Sequence, residues 1–234
     1  MTATKRLSEV QHNPGWVLNV NGVVMNGDWQ VKSPFGSVET AVVLDKDGKP
    51  VFDRPVYREA PNVNLVVWGR GKDGVAKIAL IRQQRPHSDD PERPGNDHPS
   101  VTFGQTPMGF IEKVIGKDLM PKYEGVEHAA AREASEETGA RVVLDIERPK
   151  YPWHNPNPTF IATWSELVFV EVDLAKIEKL KHDRNEPIFS AEYITVAELR
   201  RRIADGKDEV GAVYRGCTSN SVWFIFFCTH PELW

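Results

Sequence analysis

The sequence predicts an α/β (α+β) fold, helices layered on a mixed sheet and preceded by a small antiparallel β element. Three observations predict it. Short β-rich runs separated by Asn-Gly and Asp-Gly fill the first quarter of the chain, and those dipeptides favour the φ > 0 conformations of hairpin turns. Further strands alternate with only a few helical stretches, without the regular βαβ order of a parallel sheet. The composition, 40% apolar and 26% charged over 234 residues, suits a globular chain with a substantial core.

Taken in order, residues 15–58 carry "WVLNVNGVVMNGDWQV" and "AVVLDKDGKPVF", which read as successive hairpins. "NLVVWGRGKDGVAKIALIRQQRP" repeats the scheme of strand, Gly/Asp turn and strand. Residues 86–100, "PHSDDPERPGNDHPS", are polar, proline-rich and without periodicity, the mark of a surface loop. A helix is expected from about Val126 to Thr138, ended by Gly139 in the left-handed conformation that glycine tolerates. "RVVLDIE" and "SELVFVEVDL" read as strands on either side of the proline-broken "RPKYPWHNPNPTF". "TVAELRRRIADGK" reads as a short helix, with Thr195 and Glu198 placed for a capping box and Gly206 as its stop. The tail 219–228 fits buried helix or strand, with a helix capped by Thr218 or Ser219 preferred.

Charge and cysteine usage narrow the function classes. A net charge of −4 and a pI near 6.0 offer no basic field for nucleic acid. Cys217 and Cys228 match no metal-ligand spacing, and no signal-peptide core follows "MTATKRLSEV", so a reduced, cytoplasmic setting is expected. The most apolar run, "VWFIFFC", is too short to cross a bilayer and is expected in the core.

The stretch that carries chemistry is "AAAREASEETGA", Ala129 to Ala140. On a helix Glu133 lies beside Glu136 and Glu137, and Glu124 can approach from the preceding segment. Arg132 is placed to pair with Glu136 at i,i+4, while the acids on the other flank have no such partner in the sequence pattern. A solvated acidic face is the ordinary meaning of such a cluster. The other is a seat for Mg²⁺ or Mn²⁺, hard ions that prefer carboxylate oxygens.

Spacing distinguishes the two. Seven residues separate Glu124 from Arg132, giving E-x7-R-E-A-S-E-E-T-G-A. This resembles the signature of the Nudix hydrolases, G-x5-E-x7-R-E-U-x-E-E-x-G-U with U apolar. The departure is upstream: Asp118 stands where the family has glycine, and the expected glycine is Gly109 in "TPMGFIE". A nine-residue insertion within "KVIGKDLMPKY" is inferred, lengthening the loop before the helix. "KIALIRQQRP" and "AEYITVAELRRRIADGK" look like flanking segments of the ADP-ribose pyrophosphatase branch.

The resemblance implies a Nudix-type α/β/α sandwich over residues 59–234 and a β-rich dimerisation segment over 1–58, hence a homodimer. It implies Mg²⁺-dependent hydrolysis of a nucleoside diphosphate linked to another moiety, ADP-ribose first, giving AMP and ribose 5-phosphate. By matching position, Glu124, Glu133, Glu136 and Glu137 are the metal ligands, with Met108 added from the "PMGFIE" run. Arg132 and Glu133 join the catalytic set. The general base is sought in "KHDRNEPIFSAEY", where Glu186 is the choice, Asp183 the reserve and His182 a surface residue. Arg85 could present its planar fork to a phosphate. Trp153 and His154, in the loop with Pro156, offer faces for a base, whereas Phe160 is expected to pack. Gln105 stands where the branch commonly has glutamate. The rival readings are another nucleoside diphosphate sugar or an NADH-type dinucleotide as substrate, and a non-catalytic nucleotide sensor on the same fold. Neither membrane nor nucleic acid is an expected partner.

Overall fold

The computed structural model describes residues 17–20, 23–26, 31–33, 36–47, 49–85, 101–115, 121–154, 165–180, 188–214 and 216–234. The chain divides into two compact units, one of Met1–Pro61 with Asn157–Trp164, the other of Asn62–Pro156 with Ser165–Trp234. In the first unit β1 (Val17–Val20) and β2 (Val23–Asn26) are antiparallel, with Val20 opposite Val23. The expected turn at Asn21-Gly22 lies outside the described residues. Strands β3 (Val31–Ser33), β4 (Gly36–Leu44) and β5 (Pro50–Glu59) form a second antiparallel sheet in that order. At the β4–β5 turn the Asp45 carboxylate accepts the N–H groups of Asp47 and Lys49 at 2.8 and 2.9 Å, the local bonding by which aspartate favours turns.

The second unit is built on a mixed sheet. Its strands are β6 (Asn62–Arg70), β7 (Ala76–Arg85), β8 (Val101–Gln105) and β9 (Met108–Phe110), then β12 (Val143–Glu147), β13 (Trp153–His154), β14 (Ser165–Val172) and β15 (Ile188–Thr195). The order is β12-β14-β6-β7-β15, with β13 on β14, β8 on β7 and β9 on β6. Among the described strands the β14–β6 pair runs parallel and the other pairs antiparallel. Strand β6 is buried on both faces, which suits its consecutive apolar residues Leu65 to Trp68. Val63, Leu65 and Val67 face one core and Val66 and Trp68 the other.

Helix α1 (Val126–Thr138) covers the first face through Ala129, Ala130 and Ala134, all fully buried. The alanine run thus serves close helix-on-sheet packing. Gly139 ends the helix at φ 75°, and a Cβ there would lie 2.1 Å from the Glu178 carbonyl oxygen, so both backbone and space require glycine. Helices α2 (Val196–Asp205) and α3 (Cys217–Thr229) belong to the other core. Thr195 accepts the Glu198 N–H at 3.2 Å, and Gly206 stops α2 at φ 79°.

Three expectations need correction. Helix α3 starts at Cys217 after Gly216, without a side-chain cap. Ser219 cannot act as cap because it lies inside the helix, where its Oγ accepts the Thr106 N–H at 3.2 Å. The "VWFIFFC" run is core at Val222, Trp223, Phe226 and Phe227, but Phe224 is 67% exposed and Cys228 is exposed, since a helix turns successive residues through all directions. The inserted stretch is no simple loop: β10 (Lys113–Ile115) and β11 (Pro121–Tyr123) pair as an antiparallel hairpin. No helix among the described residues is long and apolar enough to cross a membrane. The expected loop at 86–100 lies outside the described residues.

Candidate active site

Strands β6 and β7 pair with each other only from Trp68–Arg70 to Ala76–Ile78, and beyond that β9 pairs β6 while β8 pairs β7. Register decides what β9 offers helix α1. Gly109 stands opposite Val63, whose side chain faces α1. A Cβ on Gly109 would come within 1.8 Å of Glu133 Cδ and 1.9 Å of its Oε1. The Glu133 carboxylate therefore rests where a side chain would otherwise stand. One residue earlier, the Met108 N–H donates to Glu137 Oε2 at 2.8 Å. Two glutamates one helical turn apart thus meet consecutive residues of one strand, and both are buried, at 7% and 4% exposure.

The hairpin base restores what the insertion displaces. The Glu124 N–H donates to the Glu112 carbonyl oxygen at 2.9 Å, and the Glu112 N–H returns a bond to Glu124 Oε1 at 2.9 Å. Gly109 is therefore returned to α1 despite its distance from Glu124 in sequence.

Arg132 ties the acids together, and in more directions than the helix spacing indicates. Its Nη1 donates to Glu133 at 2.7 Å and to Glu136 at 3.0 Å. Its Nη2 donates to Glu124 at 2.7 Å and to the Phe110 carbonyl oxygen at 2.8 Å. The expectation that only Glu136 has a cationic partner is corrected here, because a guanidinium presents donors along several edges. Burial alone would raise the Glu124 pKa, but bonds from Arg132, the Glu112 N–H and His128 outweigh it and hold that pKa down to about 2. Burial likewise opposes the charge on Arg132, yet Glu124, Glu133 and Glu136 hold its pKa above the ordinary value.

The remaining expected residues separate into near and far. Gln105 stands opposite Ile81, and its Nε2 donates to Gln83 Oε1 at 2.5 Å. Arg85 ends β7 opposite Val101. Strand β15 begins with Ile188 opposite Gln83; Glu186, Asp183 and His182 lie outside the described residues, as do Pro156 and Phe160. Met108 stands opposite Asn64, so its side chain takes the face away from α1 and only its backbone meets the glutamates. Trp153 and His154 sit on the far edge strand β13. The ladder runs Trp153, Glu166, Val63, Gly109, three interstrand steps and so about 14 Å. Trp153 is 61% exposed, and its Nε1 donates to Glu166 at 3.0 Å.

Sequence reasoning passes over the backbone partners Met108 N–H and Phe110 O, although the glycine in "PMGFIE" hints at a close approach. It also passes over Tyr193, whose hydroxyl lies 2.8 Å from Thr138 Oγ1 at the end of α1. Burial pushes the Tyr193 pKa up to about 12, against the pull of that hydrogen bond.

Among the described residues no three acids, histidines or cysteines stand close enough to form a complete metal cage. Arg132 occupies the space between Glu124, Glu133 and Glu136. A pair of hard carboxylates nevertheless fits Mg²⁺, which takes one or two carboxylates and completes its shell with water and phosphate oxygens. Glu133 and Glu137, both buried and both against β9, have the chemistry such a pair requires.

A family model for the NUDIX domain matches residues 58–214. No curated protein matches the sequence. Among solved structures, an ADP compounds hydrolase superposes with a TM-score of 0.51 at 16% identity, over 97% of this chain and 95% of that one. The NUDIX domain of Shewanella oneidensis NrtR complexed with ADP ribose gives 0.37 at 16% identity, over 61% and 76% of the two chains. At 16% identity the likeness to the first of these is one of fold.

Proposed function

Since the chain belongs to the NUDIX domain family and is a Nudix pyrophosphohydrolase, we propose that it hydrolyses a nucleoside diphosphate linked to another moiety, with ADP-ribose, cleaved to AMP and ribose 5-phosphate, as the leading substrate. The observation that supports the chemistry is the pair of buried carboxylates, Glu133 and Glu137, held against Gly109 and Met108.

In this reading Glu133 and Glu137 are the ligands of a divalent cation, Mg²⁺ or Mn²⁺. When bound, that ion neutralises phosphate charge and polarises a water for in-line attack. Arg132 orients Glu133, and Glu124 anchors Arg132 from the hairpin base, since each shares a 2.7 Å bond with the guanidinium. Glu136, more exposed, completes the charge balance around Arg132 and is available to a further ion. Met108 contributes through its backbone alone. Glu186, two residues before β15, is the proposed general base, and Arg85 at the end of β7 the proposed phosphate contact. Trp153 and His154 are retained as proposed substrate contacts of the more distant edge.

Gln105 favours a second reading of the substrate. A neutral amide supplies no charge for a further metal position, so another nucleoside diphosphate sugar or an NADH-type dinucleotide is the alternative. A sensor module would have no use for a buried ligand pair. Residues 1–58 are the proposed dimerisation segment, and a cytoplasmic setting accompanies the reading. The deciding experiment measures nucleoside monophosphate release from ADP-ribose, NADH, diadenosine polyphosphates and nucleotide sugars, with Mg²⁺ and with excess chelator. Chelator-sensitive release led by ADP-ribose is expected; no release from any of them would refute the proposed reaction.

A further inference from the structure

Along β7, the face that meets α1 continues past the end of the helix. Ala79 lies in the core cluster under α1, and alternation puts Ile81 and Gln83 on the same face of the sheet. Helix α1 ends at Thr138, bonded to Tyr193, and Tyr193 stands opposite Ala79. Gln83 is four residues further along β7, about 13 Å from that end. Its register partners are Phe103 on β8 and Ile188 on β15, so an apolar side chain flanks it on either side. Gln105, opposite Ile81, shares the face. Arg82 and Gly104 take the other face, where Arg82 pairs with Asp208 and a Cβ on Gly104 would meet Tyr214.

Two observations tie this amide pair to the glutamates. Glu137 accepts the Met108 N–H at 2.8 Å, and Met108 is three residues from Gln105, no more than about 11 Å of backbone. Glu133, seated on Gly109, is on the same face as the pair, since Val63 opposite Gly109 and Ala79 belong to one core cluster. Gln83 is 9% exposed, and only half of its amide is committed. Its Oε1 accepts from Gln105 Nε2. Among the described residues its own NH2 has no hydrogen-bond partner, although buried amide donors are ordinarily paired. A cation so placed would be drawn to the acids, as Arg132 is; a neutral amide keeps its donor for an incoming acceptor. Arg85, two residues on, ends the same strand.

Building on the pyrophosphohydrolase reading above, in which the buried acids and Arg85 serve the pyrophosphate, we propose that Gln83 is a further substrate-binding residue, its Nε2 donating to a pyrophosphate oxygen. Gln105 holds the Gln83 amide in that orientation, so it acts through Gln83 and is a positioning residue. A hydrogen bond to a charged group is worth a tenfold change in binding, roughly, when removed.

The test uses the full chain, with steady-state hydrolysis of ADP-ribose, inorganic pyrophosphate as competing inhibitor and a urea curve on each preparation. Gln83→Leu replaces the amide by an apolar group of similar size, and its urea midpoint is expected to match the parent's. Its KM and its pyrophosphate inhibition constant are expected to rise about tenfold, with kcat lowered no more than about threefold. Gln83→Met, equally apolar and unbranched, is expected to repeat both rises. Gln105→Ala leaves the Gln83 amide free to turn, so a smaller rise of about threefold is expected in both constants; no rise would overturn the positioning role. Unchanged pyrophosphate inhibition in the folded leucine and methionine variants would overturn the contact whether or not KM moves, because an amide that faces the nucleoside does not touch inorganic pyrophosphate. Should the parent hydrolyse no nucleoside diphosphate derivative, the proposed reaction has failed. Pyrophosphate binding by calorimetry with Mg²⁺ then decides the contact: weaker binding by Gln83→Leu supports it, and equal or absent binding overturns it.

Discussion

Adding one methyl group at Gly109 isolates the Glu133 carboxylate from the rest of the fold. Gly109 does not occupy the left-handed region, so alanine brings no backbone strain of that kind, only a collision. Its Cβ would stand 1.8 Å from Glu133 Cδ, whereas ordinary carbon contacts begin near ~3.5 Å. The carboxylate, at the end of a flexible side chain, must retreat by about 1.7 Å, and a displacement of that order near reacting groups costs roughly a hundredfold in rate. Gly109→Ala is therefore expected to lower kcat for ADP-ribose at least about a hundredfold, close to 3 kcal/mol of barrier. Arg132 keeps Glu124, Glu136 and the Phe110 carbonyl, so stability should fall by no more than about 2 kcal/mol. Steady-state kinetics with a urea unfolding curve on the same preparation check both halves. A folded Gly109→Ala protein within threefold of the parent rate, roughly, would refute the role given to Glu133 at this seat.

Arg132→Lys keeps the charge but loses the fork that reaches Glu124, Glu133 and Glu136 at once; a loss of about 1–3 kcal/mol in urea stability is expected, together with reduced kcat. Glu124 has its folded pKa depressed from 4.5 to about 2, so its contribution is fully present above pH 4.5 and lost as pH falls toward 2. The parent urea midpoint should therefore fall between those pH values more steeply than that of Glu124→Gln, and parallel curves would contradict the assignment. Gly104→Ala would place a Cβ 2.2 Å from the buried Tyr214 ring; overpacking of this kind costs about 1–3 kcal/mol, measurable as a lowered thermal midpoint.

What the sequence makes legible is local. Helix α1 and its glycine stop depend on residues within a few turns, as do the Thr195 cap and the turn at Asp73-Gly74, and all of them can be read along the chain. The spacing of Glu133, Glu136 and Glu137 is legible for the same reason, since one helix carries them. What escapes is set by pairing between distant segments. The seat of Glu133 on Gly109 needs the register of β9 on β6. The four hydrogen-bond partners of Arg132 come from the hairpin base and from β9 as well as from its own helix. The insertion contains none of the glycine-rich dipeptides that mark tight hairpins, so its two short strands read as loop. Ser219 passes for a cap because its long-range partner, Thr106, is invisible along the chain.

The most direct measurement is uptake of Mn²⁺, followed by paramagnetic resonance, beside a non-hydrolysable ADP analogue, in the parent and in the double variant Glu133→Gln with Glu137→Gln. Saturable binding by the parent that disappears in the folded double variant is the predicted result. Equal binding by both proteins, or none by either, would contradict the assignment of the cation to these two carboxylates.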